Sequence, residues 1–117
     1  MINISDLSVM IDGTSVLNAI NCQFKSGKTY FVMGHNGSGK SSLLQTIMGY
    51  PAYHCTQGKI MVDEIDLQSL SIVERARKGV FLASQYPVSI PGLSLFTLLY
   101  ESYAVIHNHR PSKVDFE

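Results

Sequence analysis

Residues 34–41 combine residue types and spacing that suit the binding of phosphate groups. Two glycines five positions apart are followed by a lysine and a serine, and the whole loop consists of Gly34, His35, Asn36, Gly37, Ser38, Gly39, Lys40 and Ser41. Glycine backbones reach conformations in which successive amides point inward at phosphate oxygens. Lys40 supplies a positive charge to the outer phosphates, and Ser41 offers a hydroxyl to Mg²⁺. The loop therefore predicts a nucleotide site that also uses Mg²⁺.

The segments on either side of the loop have the character that such a site needs. The apolar run 30–33 before it is typical of a strand covered on both faces. After Ser41 the apolar residues recur at helical spacing, and Gly49 with Pro51 ends this predicted helix. The positive end of the helix would then face the bound phosphates.

Gln85 is a second candidate for the site. It follows the apolar run 80–83, which predicts another buried strand, and ligands bind at the carboxyl ends of strands in α/β sheets. Its amide oxygen could complete the Mg²⁺ shell or orient a water molecule. From its position alone, Gln85 is better explained as a solvated loop residue.

The remaining chain predicts short elements around this centre. A strand over 2–11, irregular near Ser5 and Asp6, turns at Asp12 and Gly13 into a returning strand over 16–24. Residues 51–57 suggest an exposed connection and 58–62 another strand. A capping box from Ser71 to Glu74 opens a short helix that Gly79 closes. A further apolar helix is predicted over 95–106.

Composition limits the class of protein and its partners. The 117 residues, 45% of them hydrophobic, fit one globular domain, and nine basic residues balance nine acidic ones. This balance gives no support to a nucleic-acid partner. Cys22 and Cys55 have no metal-ligand spacing, with Cys22 expected to be buried and Cys55 to lie in a loop. Neither a signal peptide nor a membrane-spanning run is apparent, which predicts the cytoplasm, or an organelle interior, without membrane insertion.

The segment 36–43 resembles the Walker A motif of ATP-binding-cassette (ABC) ATPases. Further stretches at 49–53, 58–60, 74–77 and 85–92 together resemble the ATPases of the Suf iron–sulfur cluster assembly system (SufC). The resemblance implies an α/β fold of the P-loop NTPase class over residues 1–117. The expected architecture is the N-terminal part of an ABC ATPase domain: an antiparallel β subdomain, a partial parallel core sheet, and helices.

The resemblance also implies roles for individual residues. ATP and Mg²⁺ become the expected ligands, with Ser42 joining the loop and with base contacts at Ile11 and Val16. Gln85 resembles the Q-loop glutamine, which contacts Mg²⁺ and couples the nucleotide to a partner. The partner, a Suf-type scaffold subunit, would meet the loop that contains Tyr86, Pro87, Ile90 and Pro91. Family members also act as head-to-tail dimers.

Several motifs that the family uses for hydrolysis do not occur in these residues: the signature segment, the acidic Walker B strand and the switch histidine. We therefore identify no catalytic residue within the 117 and expect nucleotide binding with little or no hydrolysis. Two alternatives to a Suf ATPase stay open. One is the nucleotide-binding domain of an ABC transporter, and the other is a truncated, non-hydrolysing nucleotide-binding protein.

Overall fold

A computed structural model describes residues 1–85 and 90–112. The chain divides into two units, Met1–Leu82 and Ala83–Glu117, which are considered separately. The first unit contains the phosphate loop and all the strands of the described residues.

Four antiparallel strands form the sheet of the first unit. They are β1 (Ile2–Ile11), β2 (Thr14–Phe24), β3 (His54–Val62) and β4 (Ile65–Asp66), in the order β2-β1-β3-β4. The hairpin predicted at Asp12 and Gly13 is confirmed, since Ile11 pairs with Thr14 directly across that turn.

The irregularity predicted near Ser5 and Asp6 is confirmed as a bulge in β1. The register against β2 shifts between Ile4 and Leu7, and Asp6 adopts a φ of 48°. The Asn21 amide spans the bulge, donating to the Asp6 carboxylate at 2.8 Å and accepting from the Asp6 backbone amide at 2.9 Å. These contacts satisfy polar groups that the interrupted ladder leaves unpaired.

The described residues contain three α-helices. In the first unit α1 spans Lys40–Met48, a 3₁₀ turn spans Leu67–Ser69, and α2 spans Ile72–Arg77, whereas α3 (Leu95–His107) belongs to the second unit. The helices predicted after the loop and from residue 95 are thereby confirmed. The capping box is confirmed as well: Ser71 and Glu74 make both reciprocal hydrogen bonds, which lower the pKa of Glu74.

The core of the first unit lies between α1 and the sheet. Leu43 and Ile47 form the buried stripe of α1, four residues apart on one helical face. They pack against residues of the strands and the 3₁₀ turn, namely Ile4, Leu7, Val9, Leu17, Ile60 and Leu67. This packing fixes α1, and with it the loop at its N-terminus, on the antiparallel sheet.

The prediction of buried strands at 30–33 and 80–83 is wrong for the described residues, and so is the partial parallel core sheet. Neither segment is a strand, and every strand pair in the described ranges is antiparallel. Phe31 is 84% exposed, Met33 88% and Phe81 86%. A strand needs a hydrogen-bonded neighbour, and apolar sequence alone does not provide one.

The predicted exposed connection over 51–57 is also partly wrong, because β3 already begins at His54. Residues 54–57 pair with Ser8, Val9 and Met10 of β1. Cys55, expected in a loop, therefore lies in a strand, where it is exposed. Cys22, expected to be buried, is half-buried in β2.

The variants Ile60→Ala and Phe31→Ala test which apolar residues are packed in the core and which are exposed. Ile60 is fully buried, so its truncation should lower the free energy of unfolding by about 2–5 kcal/mol. Phe31→Ala should change it by less than about 0.5 kcal/mol. Urea denaturation followed by circular dichroism measures both, and a large loss in Phe31→Ala would contradict the exposure of segment 30–33.

Candidate functional site

The phosphate loop ends where α1 begins, so the helix N-terminus forms one wall of the site. Gly39 is the N-cap residue, with a φ of 88°, and no side chain caps the first turn. The first amides of a helix have no intrahelical partner and carry the positive end of its dipole. An oxyanion placed at this point would therefore meet both backbone donors and a favourable field.

Lys40 brings its charge back over the loop. Its Nζ donates to the carbonyl oxygens of Gly34 and His35, each at 2.8 Å, and lies 3.5 Å from Ser38 Oγ. The Ser38 amide donates to the same His35 oxygen at 3.2 Å. The His35 ring contacts the Asn36 carbonyl at 2.8 Å through Nδ1. The Lys40 ammonium group thus lies at the centre of the loop. The backbone hydrogen bond from Ser38 to His35 closes the same loop.

Ser41 suits the role of an oxygen ligand for Mg²⁺. It lies in the first turn of α1 beside Lys40, its side chain is exposed, and its hydroxyl makes no hydrogen bond within the described ranges. Hydroxyl oxygens are suitable ligands for this hard cation. Ser42, by contrast, is half-buried, and its carbonyl accepts from Thr46 Oγ1 at 2.6 Å as part of the helix.

Strand β2 supports the loop from behind at Gly39. A Cβ at this position would lie 2.8 Å from Leu17 Cδ2 and 3.0 Å from the Val16 oxygen, so strand and loop approach as closely as glycine allows. Val16, one of the two predicted base contacts, is therefore beside the loop. Ile11, the other, lies at the end of β1 opposite Thr14. Contact of either residue with a base stays a prediction.

The predicted partner-coupling residues belong to the second unit. Gln85 is exposed within a bend, and Ile90, 59% exposed, accepts a hydrogen bond from the Leu93 amide at 3.2 Å. Pro91 is exposed too. Tyr86 and Pro87 lie outside the described residues. The joint binding of Mg²⁺ by Ser41 and Gln85 stays a prediction.

A cavity of 450 Å³ adjoins the loop, and sequence reasoning missed it. The loop and the first residue of α1 contribute Gly34, Ser38, Gly39 and Lys40 to its wall, whereas Ile20, Cys22 and Phe24 line it from β2. Burial raises the pKa of Cys22, which keeps its thiol neutral. Alternate residues of a strand share one face. The apolar residues at 20, 22 and 24 were therefore the sequence signal for an apolar wall on one face of β2.

Within residues 1–85 and 90–112, no group of three or more His, Cys, Asp or Glu side chains could hold a metal ion. No helix there is long and apolar enough to cross a bilayer.

Comparison with protein families agrees with this geometry. The family model described as ABC transporter matches residues 17–115. The match includes most of β2, the phosphate loop, α1 and α3.

Individual proteins are similar over most of this chain. A probable ATP-dependent transporter of Synechocystis sp. is 40% identical over 93% of the chain and 43% of its own length. A probable ABC transporter ATP-binding protein of Streptococcus pyogenes serotype M3 is 45% identical over 80% of the chain and 37% of its own length. A probable ATP-dependent transporter of Antithamnion sp. is 41% identical over 88% of the chain and 41% of its own length. The chain thus spans about two fifths of the length of these relatives.

Proposed function

We propose that this chain, which belongs to the ABC transporter family, binds MgATP in its phosphate loop and couples that binding to a protein partner. The observation that carries the proposal is the position of Lys40, whose ammonium lies 2.8 Å from two loop carbonyls at the start of α1. A cation and a helix N-terminus together favour a multiply charged phosphate ligand. ATP, as opposed to another nucleotide, follows from the family.

In this proposal different residues bind the phosphates, the Mg²⁺ ion and the base. The amides of 37–41 and the Lys40 ammonium would hold the phosphates, and the free hydroxyl of Ser41 would bind Mg²⁺. Gln85 would supply a second oxygen to the same ion. Val16 and Ile11 would offer apolar contacts to the base, with Val16 favoured by its closeness to Gly39.

For the partner, the names of the relatives favour a transport subunit. They describe ATP-dependent transporters and ABC transporter ATP-binding proteins. By this analogy the chain would be part of an ATP-binding subunit that dimerises head to tail and drives a transporter. Gln85, Ile90 and Pro91, with Tyr86 and Pro87, would then meet the transport subunit.

A Suf-type scaffold is the second candidate partner, and the stretch 85–92 is the observation that favours it. This stretch resembles Suf assembly ATPases, and generic cassette ATPases vary there. The three relatives quoted above are not named for iron–sulfur assembly. The scaffold is therefore the less supported of the two.

Copurification from the native organism separates the two partners. A tagged chain should recover an integral membrane protein, and Ile90→Asp should lose it because a charge replaces an exposed apolar contact. Asp63, exposed in the first unit, offers a control as Asp63→Asn. Recovery of a soluble scaffold in place of a membrane protein would contradict the transporter assignment and support the Suf assignment.

Lys40→Ala tests the phosphate site itself. It removes the ammonium at the loop centre, so the affinity for MgATP should fall by roughly 10- to 100-fold or more. Lys28→Ala, which removes an exposed lysine before the loop, should leave the affinity unchanged. Isothermal titration of both variants measures this, and equal affinity in Lys40→Ala and the parent chain would refute the loop as the nucleotide site.

Two adjacent serines allow a matched test of the magnesium role. Ser41→Ala should remove most of the gain in ATP affinity that Mg²⁺ provides, while affinity in EDTA stays close to that of the parent. Ser42→Ala should retain the gain, because Ser42 is half-buried on α1 whereas Ser41 is exposed. If both variants respond to Mg²⁺ like the parent, Ser41 is not a ligand.

A further inference from the structure

Arg75 in α2 is a buried cation with an unusual set of partners. The residue is 6% exposed, and no carboxylate forms an ion pair with it in the described part of the chain. Instead Nη1 donates to the carbonyls of Thr46 and Ile47, each at 2.9 Å, and Nε donates to the Leu70 carbonyl at 3.0 Å. The guanidinium group is therefore satisfied largely by the end of α1.

The end of α1 is suited to receive this group. Its last carbonyls lack the full set of amide donors found in the helix interior and carry the negative end of the helix dipole, which favours a cation. The Gly49 amide also donates to the Thr46 carbonyl, at 3.0 Å. Gly49 caps the helix with a φ of 87°, and a Cβ there would lie 2.7 Å from Arg75 Cζ. The guanidinium group occupies the space that any other residue at 49 would need.

Arg75 also fixes the segment that follows α2. Its backbone carbonyl accepts from the amides of Lys78 and Val80, each at 3.0 Å. Its side chain thus holds α1 while its backbone holds residues 78–80, which precede Gln85 in sequence. One residue connects the helix of the phosphate loop to the segment that leads toward the predicted coupling residue.

We propose that Arg75 is a positioning residue for the nucleotide site: it fixes the C-terminal end of α1 and thereby the orientation of the phosphate loop at the other end. A nine-residue helix is about 14 Å long and behaves as a rod over that length. A tilt permitted at Met48 is therefore transmitted to Lys40. Loss of the Arg75 contacts should disturb the loop from a distance, without touching it.

Hydrogen exchange of the nucleotide-free chain tests this proposal directly. Arg75→Lys keeps the charge but loses the planar group whose Nη1 and Nε together reach the carbonyls of α1 and of Leu70. The Ser38 and Leu43 amides, which donate to His35 and Gly39, should exchange about tenfold faster relative to amides of the β1–β2 ladder. Arg77→Lys, on the exposed side of the same helix, should leave both unchanged.

A purely structural role gives a different result. Arg75→Lys would then accelerate loop and ladder amides by the same factor, because both would exchange through global unfolding. Equal acceleration, or no change at the loop, overturns the proposal. Gly49→Ala disturbs the contact between Arg75 and the end of α1 without changing Arg75 itself. It should also accelerate exchange of the loop amides relative to the ladder amides. Gly79→Ala is its control, since Gly79 shares the φ of 87° but a Cβ there meets nothing within 4 Å.

A second arm rests on the proposed function and measures MgATP affinity. Arg75→Lys and Gly49→Ala should each weaken binding about tenfold, whereas Arg77→Lys and Gly79→Ala should not. If the parent chain fails to bind MgATP, the proposed function fails, and the exchange experiment still decides the role of Arg75. Unchanged affinity together with a released loop would overturn the positioning role.

Discussion

The attachment of α1 at both of its ends is the constraint on which the site depends. At the N-terminus, Gly39 lies against Leu17 and the Val16 carbonyl. At the C-terminus, Arg75 donates to the buried carbonyls of Thr46 and Ile47. Between these points the buried stripe of α1 packs on the sheet. A helix held in this way presents its first amides and Lys40 in one fixed direction, which a phosphate-binding loop requires.

The loop itself is ordered by contacts within its own chain. Lys40 donates to two loop carbonyls, and the Ser38 amide closes the same turn. A ligand entering such a loop has little backbone entropy to remove, so more of the interaction energy appears as affinity. The glycines and the lysine therefore shape the loop before any ligand binds.

Much of this site could be predicted from sequence because its determinants are local. The spacing of Gly39, Lys40 and Ser41, the helical period after them and the Ser71 capping box each involve neighbouring residues. Features that depend on distant partners could not be predicted. Segment 30–33 has strand composition but pairs with no strand of the described residues, whereas His54 joins a strand because β1 pairs with it. Arg75 contacts a carbonyl 29 positions away, which its place in a short helix does not indicate.

The central claim is that residues 34–41 receive the phosphates of MgATP. The most direct measurement is a titration of the ¹⁵N-labelled chain with MgATP, followed by amide chemical shifts. The account predicts saturable shifts that are largest for the amides of 37–42, with smaller ones near Val16. Shifts that centre elsewhere, for example on the recess of 310 Å³ beside Tyr50 and Gln68, while the loop amides stay unmoved, would contradict it.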